Sequence, residues 1–486
     1  MPRAPALLGF DLGTTRFKVA AFTLDGRLLA AEAERNVEHR DGEQAWQAPA
    51  EWWEAAGRLA RRLVARRELA GYDVAGVGLS ARAGGFVPVD GRGRPLAPSW
   101  SDQRHRAELA RLVAWRAGGA HLSNYAAGLV AKYLWLRAHE PEQAAGCAHL
   151  LYAKDWLVYR MTGRAVTDPT SGPDRHDFDR AAIATLGVAP ALLPEVEAPW
   201  ALAGPLAADG AAQLGLTAGL PVAVGGHDGI CANVGAGAGT PGACAITIGT
   251  HAVIRAVTTE LPAGAYRFYG LPPDRHVIGG NALMAGRAAD WFLDSWLAAD
   301  GDDRSAVFAA LDREAERVPP GARGVRFLPF LAGQVAPEAR PGARGAFAGL
   351  AIEHGRADLY RAVLEGGAFG VRAIWDQVRG WCGDPALVRF TGSGALSGTW
   401  RQIIVDAIDW PCEVVDGYAE ARGAAIYAAV ATGVYADVDA AALAMVHPSL
   451  RVTPRPDRVA TYEALYAEWR ALADAMRPLD GGGATR

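Results

Sequence analysis

The sequence predicts an α/β protein of two domains built on a duplicated half. Three observations carry this. At 486 residues the chain is too long for one ordinary core, so two domains of roughly 200–250 residues are expected. A strand, a Gly-Thr turn and a second strand occur twice, around Gly13-Thr14-Thr15 and around Gly249-Thr250. Midway, residues 221–250 read as a short strand, a small-residue helix, a turn and another strand, with His227-Asp228 at the first junction. Two such hairpins, one opening each half, predict a fold that closes on a nucleotide from both sides.

Composition narrows the function. Half the residues are apolar and a fifth are charged, which is globular composition. A net charge of −4 with no Lys/Arg-rich run argues against a nucleic-acid partner. Lys18, Lys132 and Lys154 are the only lysines among 49 basic residues; beside abundant Ala and Gly, this reads as codon bias. Five scattered cysteines with no CxxC pair read as small core residues in a reducing compartment. The first apolar run meets Gly9 and Asp11 too early for a signal peptide, and no run approaches the ~20 residues of a membrane span. The expectation is a soluble cytoplasmic protein without a membrane partner; a homodimer stays open.

In chain order, 7–10 is an apolar strand ended by Asp11-Leu12-Gly13-Thr14-Thr15, 17–24 is a second, and Asp25-Gly26 turns it into a third at 27–32. Backbone N–H groups and hydroxyls gathered at such a hairpin can cradle a phosphate. Asp11 beside them suits a divalent cation, because hard ions take carboxylate and phosphate oxygens; an ordinary turn is the competing reading. Residues 49–68 are helical, with Trp52, Trp53, Ala56, Leu59, Ala60 and Leu63 at three- and four-residue steps. A strand at 74–79 runs into the small-residue loop 80–85, and a strand at 86–89 follows. Trp100 with Asp102 and Arg104 can hold a polyol, ring against C–H faces and charges on hydroxyls, or be a loop with one buried Trp and an ion pair. Helices are expected around 132–136 and 154–163, the latter ended by Gly163.

At the centre, a carboxylate at a strand's carboxyl end projects into the usual ligand crevice of α/β sheets, so Asp228 is either a catalytic group or a helix cap. The second half predicts a strand at 277–281 ending at Asn281, helices at 285–297 and 356–381, and a strand-like run at 327–333. Glycines 366, 367 and 370 inside the long helix cost about 1 kcal/mol each against Ala, which implies close backbone packing. A strand at 388–390, the loop 391–397 and a helix at 400–408 repeat nucleotide geometry, since glycines let backbone N–H groups approach a ligand. An Ala-rich helix at 420–433 closes the domain, and 480–486 reads as a disordered polar tail.

These motifs together resemble the FGGY family of carbohydrate kinases over roughly residues 6–440. The likeness runs through DLGTT at 11–15 with Lys18, WSDQR at 100–104, KYLWL at 132–136, and KDWL and RMTG with Thr167-Asp168. It continues through GGHD at 225–228 and GT at 249–250. GAFAGL at 345–350, followed by Asp358-Leu359 and 362–365, is the most specific match; 391–400 and EARGAA at 420–425 look like adenosine-side motifs. The resemblance implies two actin-like, ribonuclease-H-like ATPase domains around a central cleft: 5–250 for sugar, 251–440 for ATP, and 441–486 a C-terminal helix and tail. It implies ATP and Mg²⁺ as cofactors and a small sugar, polyol or aldonate as acceptor. Asp228 would be the general base and Asp11 would hold Mg²⁺ through water. Thr14, Thr15, Lys18, Gly249 and Thr250 would line the phosphates, and Gly392, Ser393, Gly394, Ala395 and Ser397 the adenosine. Arg82, Ala83, Trp100, Asp102 and Asn281 would join Asp228 around the acceptor.

The chain also departs from the family. Arg82-Ala83-Gly84-Gly85 stands where xylulose kinases carry Gln-Met-His-Gly, and Ala83-Gly84 where glycerol kinases carry Arg-Glu, which points away from D-xylulose and glycerol. Leu129, Ala138, Gln334 and Thr391 are further departures. Two rivals remain at this stage: a silent sugar-binding sensor, and an actin- or chaperone-like ATPase, for which residues after 440 leave little room for a client-binding domain.

Overall fold

The computed structural model describes residues 3–116, 122–173, 177–271, 274–296, 303–415 and 417–481. The chain divides into two compact units, 1–239 with 269–274 and 418–447, and 240–268 with 275–417 and 448–486.

The first unit is organised by a mixed sheet. Its strands are β1 (Ala4–Leu12), β2 (Arg16–Thr23), β3 (Leu28–Arg35), β4 (Tyr72–Ala81), β5 (Leu202–Pro205), β6 (Pro221–Ala223) and β7 (Gly226–His227). The order is β5-β6-β4-β1-β2-β3, with β7 also on β4. β1–β2 and β2–β3 are antiparallel hairpins, whereas β4 lies parallel to β1 after the crossover helix Pro49–Val64. That helix buries Trp52, Ala56, Leu59, Ala60 and Leu63, as the apolar spacing requires. β1 is longer than the sequence suggested and carries Asp11 within it, paired with Lys18 across the hairpin. A separate apolar cluster gathers Phe86, Trp100, Leu129, Tyr133, Leu136 and Tyr152.

The second unit repeats the pattern. Six of the seven strands of its sheet, β8 (Ala243–Ile248), β9 (Ala252–Thr258), β10 (Arg275–Ala282), β11 (Leu387–Thr391), β12 (Cys412–Val414) and β13 (Leu450–Val452), run in the order β10-β9-β8-β11-β12-β13, and the seventh, Arg267–Leu271, lies beside β10. The directions of these six match β1–β6 of the first sheet: two antiparallel hairpins, two parallel neighbours, an antiparallel edge. The duplication inferred from two Gly-Thr turns thus extends to whole sheets. Helix Arg356–Cys382 packs closely at two of its three glycines: a Cβ on Gly366 would stand 2.4 Å from Phe327 O and one on Gly367 3.0 Å from the Trp400 ring, whereas one on Gly370 would meet only Ala282 at 3.9 Å, an ordinary contact.

Two sequence expectations shift. The run 327–333 is a strand only over Arg326–Leu328. Helix Ala419–Ala431, expected to close the second domain, packs in the first unit, and the chain is cut between 239 and 240 instead of at 250. The reason is contact at backbone distance: a Cβ on Gly9 would meet Ala421 O at 1.9 Å, and one on Gly78 would meet Ala424 O at 1.8 Å. In the tail, Asp480 pairs with Arg340 at 2.8 Å, and 482–486 lie outside the described residues.

Candidate active site

In the first unit the carboxyl ends of β1 and β4 and the β7–helix junction bring charged groups together. Asp11, on β1, accepts a hydrogen bond from Ser80 of β4 at 3.0 Å, and its other oxygen lies 3.3 Å from Lys18 Nζ. Lys18 in turn lies 3.6 Å from Glu420 on helix Ala419–Ala431. Burial, with Glu420 and Asp228 adding to it, pushes the Asp11 carboxyl up to about 7 against the pull of Lys18 and Ser80. Burial opposes the Lys18 ammonium, yet Asp11 and Glu420 hold its pKa above the usual lysine range. Three carboxylates therefore act on a region whose cations are Lys18 and Arg82, an excess of negative charge made of hard oxygen donors.

Asp228 is the first residue of helix Asp228–Gly235 and does not cap it. His227 does: its Nδ1 accepts from the Gly229 N–H at 3.1 Å. An accepting Nδ1 carries no proton, so the ring's hydrogen sits on Nε2, which lies 3.1 Å from Asp228 Oδ1. The His227 ring is buried beside Tyr125 and Tyr269, centroids 5.7 and 4.9 Å away, whereas the Asp228 side chain is 31 % exposed. The cap reading of Asp228 is thereby removed. A carboxylate with no structural duty at its own helix is left facing outward beside a fixed N–H.

Arg82 follows β4, its N–H bonded to Leu12 O at 3.0 Å and its guanidinium 5.4 Å from the centre of the Trp52 ring. Burial lowers its pKa, while Asp228 and Glu38 act the other way. Among the described residues the guanidinium has no hydrogen-bond or ion-pair partner. Ala83 and Gly84 follow it half-buried, and Lys132 Nζ donates to Gly84 O at 3.3 Å and to Trp100 O at 2.8 Å. Trp100 is 2 % exposed, packed on Phe86 and Trp135, and its Nε1 has no partner among the described residues. Asp102 is fully engaged by the Arg104 fork and the Ala45 N–H. Burial works against its charge, but those donors hold the carboxyl well below the usual range.

The first Gly-Thr turn is braced from behind. Asn36 Nδ2 donates to Gly13 O and Thr14 O, and Gln47 Nε2 to Thr14 O at 3.1 Å, leaving Thr14 and Thr15 exposed. In the second unit, the Gly249–Thr250 turn ends β8, with Gly249 O and Thr250 O accepting from Gly286 and Arg287 N–H at 3.0 Å. Gly392 ends the parallel neighbour β11 with φ +94°, and a Cβ there would lie 2.2 Å from Ile248 O. Gly249, Thr250, Gly392, Ser393, Gly394 and Ala395 thus share one end of the second sheet. Ser397 caps the helix Gly398–Ile408 through Trp400 N–H. Asn281 sits near the end of β10 in that unit.

Residues 6–235 match the N-terminal domain of the FGGY family of carbohydrate kinases, and 238–432 match its C-terminal domain. The chain belongs to the FGGY family of carbohydrate kinases. It is therefore a two-domain α/β phosphotransferase that uses ATP and a sugar substrate. Relatives of this FGGY chain include a xylulose kinase of Escherichia coli, 30% identical over 421 residues and spanning 82% of this chain and 84% of that protein. A gluconokinase of Bacillus subtilis is 25% identical over 485 residues, 94% of each. The crystal structure of a xylulose kinase from Rhodospirillum rubrum superposes with a TM-score of 0.81 at 26% identity, covering 98% of this chain and 100% of that one. Among the described residues, no helix is long and apolar enough to cross a membrane, and no group of three or more His, Cys, Asp or Glu gathers to hold a metal ion.

Sequence reasoning missed Ser80, Glu420, His227's role and Lys132. Glu420 was expected with the adenosine-side motifs; the structure places it beside Lys18. The signal was the glycine and alanine spacing of 419–425, which matches glycines on β1 and β4 more readily than a nucleotide loop.

Proposed function

We propose that this FGGY kinase transfers the γ-phosphate of ATP to a hydroxyl of a small sugar, polyol or aldonate, with Asp228 as general base. The observation that carries this is the open carboxylate of Asp228, freed from capping by His227 and lying 3.1 Å from that ring's Nε2. The acceptor hydroxyl gives its proton to Asp228 as its oxygen forms the bond to the γ-phosphorus. The bond to the β,γ-bridging oxygen breaks, and ADP leaves. Catalysis of this kind is mostly positioning and charge neutralisation.

Mg²⁺ suits the carboxylate excess at Asp11, since it takes one or two carboxylates and keeps water and substrate phosphate as its other ligands; when bound it neutralises phosphate charge. Thr14, Thr15 and Lys18 serve the phosphates from the first unit, and Gly249 and Thr250 from the second. Gly392, Ser393, Gly394 and Ala395 serve adenosine. The acceptor meets Arg82 and Ala83, with Asp102 fixing Arg104 and Asn281 a further candidate contact; Trp100 backs the site from the core.

For the acceptor, the unpartnered Arg82 guanidinium supports a carboxylate, which it would pair bidentately, so an aldonate is favoured over D-xylulose or glycerol. Relatives named for xylulose and for gluconate both fit the family; the loop 82–85 is where this chain parts from the former. Asp228→Asn should lower sugar-dependent ADP release about 10²–10⁴-fold while ATP still binds, the usual contribution of a base. Retention of more than about a tenth of the wild-type rate removes Asp228 from the role. Binding of sugar with no ADP release by the wild type would favour a sensor.

A further inference from the structure

Behind Asp228 lies a buried ionic cluster that the transfer reaction does not touch. Lys154, Asp155 and Asp168 have side chains no more than 2 % exposed. Lys154 Nζ lies 2.8 Å from Asp155 Oδ1 and 3.3 Å from Asp168 Oδ1, and it donates to Val224 O at 3.0 Å. Asp155 accepts from Tyr152 N–H at 3.2 Å. Asp168 accepts from the Thr170 N–H at 2.8 Å and from the hydroxyls of Thr170 and Ser171. Thr170 Oγ1, its proton given to Asp168, accepts from the His227 N–H at 3.0 Å.

Two strands of contact thus leave the cluster and end on the same turn. One fixes Val224 O, at the end of β6. The other fixes His227 N, one residue before Asp228. Between them Gly225, at φ +77°, brings its Cα so close to β4 that a Cβ would stand 2.2 Å from Leu79 O. Burying three charged groups is costly unless they are paired and fully hydrogen-bonded, and apolar residues would fill the same space at no such cost. A cluster that reaches one turn at two points, Val224 O and His227 N, has a positional use for that cost.

We propose that Lys154, Asp155 and Asp168, acting through Thr170, are positioning residues that hold the 224–228 turn so that Asp228 meets the acceptor hydroxyl. This rests on the reading of Asp228 as the base. None of the four touches substrate; each acts through the backbone of the turn. Misplacement of about 1 Å can cost on the order of 10²-fold in rate, so the effect belongs in kcat.

The test is Thr170→Val, which keeps shape and removes the oxygen, beside Thr170→Ser, which keeps the oxygen. Thr170→Val should lower kcat about tenfold to a hundredfold with the KM for ATP unchanged, and Thr170→Ser should stay within about threefold of wild type. In an Asp228→Asn background Thr170→Val should add no further loss, because the group it positions is gone. Should Thr170→Val not fold, Thr170→Ala against Thr170→Ser decides in the same way. A folded Thr170→Val enzyme with wild-type kcat overturns the proposal while leaving Asp228 in place, and so do losses that multiply in the double variant. An active Asp228→Asn enzyme overturns both readings at once.

Discussion

Gly78→Ala tests the packing that carries Glu420 to the site. Gly78 is on β4, and its missing Cβ is where Ala424 O of helix Ala419–Ala431 sits; a methyl would stand 1.8 Å from that oxygen. Contacts below 3.0 Å force a shift, so helix or strand must move by at least about 1.2 Å. The obstacle is a main-chain carbonyl, which has no rotamer to escape into. Nor can the helix retreat easily, for it is packed at backbone distance elsewhere too: a Cβ on Gly9 would stand 1.9 Å from Ala421 O, one on Gly235 1.8 Å from Ala419 O, and one on Gly423 2.0 Å from Cys231 O.

Overpacking costs typically 1–3 kcal/mol, and with the backbone on one side the upper end applies, about 3 kcal/mol. At 2–4 °C per kcal/mol for a domain of this size, the Tm of the first unit's transition should fall by about 6–12 °C. Differential scanning calorimetry measures it, with Gly71→Ala as the control, where a Cβ meets nothing within 4 Å. A fall of less than about 2 °C for Gly78→Ala, or an equal fall for both variants, would refute the close-packing argument.

Thr14→Val and Thr250→Val should each raise the KM for ATP more than that for sugar; a rise for the sugar alone would break the two-hairpin reading. Burial, then Arg82, hold Lys132 down to about 8 from an ordinary 10.5, so the folded chain binds fewer protons than the unfolded one between those values. Its contribution is then full above about 10.5 and lost as pH falls towards 8. The Tm of wild type minus that of Lys132→Met should rise from pH 8 to 10 as the burial penalty on the ammonium is relieved, and a flat difference excludes the shift. Arg82→Ala should slow phosphorylation of aldonates such as gluconate at least tenfold more than that of neutral sugars; an equal loss on both, or none on either, sinks the carboxylate reading.

The sheets were legible because their signals are local. Asp11-Leu12-Gly13-Thr14-Thr15 and Gly249-Thr250 are turn chemistry between apolar runs, and the Gly226-His227-Asp228 junction announces itself by composition. What was not legible depends on contacts far apart in the chain. Whether Asp228 caps its own helix turns on the tautomer of His227, which is settled by one backbone N–H. Trp100, read as a sugar platform, has its ring in a buried aromatic cluster, and Asp102 is engaged by Arg104; no spacing rule distinguishes a tryptophan facing a ligand from one facing a core. Glu420 joined the Asp11 group only because glycines 340 or more residues earlier let a helix lie against β1 and β4.

The three lysines show how composition can mislead and still inform. In a chain with 46 arginines beside them, their rarity reads as codon bias, and for the surface that reading is sufficient. Yet each of the three is buried or half-buried, and each ammonium bridges elements distant in sequence. Lys18 spans Asp11 and Glu420, Lys132 spans Gly84 O and Trp100 O, and Lys154 spans Asp155, Asp168 and Val224 O. A guanidinium is a planar fork suited to two parallel bonds, whereas an ammonium is a compact point charge whose three donors diverge. Partners that converge on one point from different elements fit the ammonium and not the fork. Bias sets how many arginines there are; geometry sets where it is resisted. Those positions are the phosphate side, the acceptor loop and the turn behind Asp228, the three places on which the proposed reaction depends.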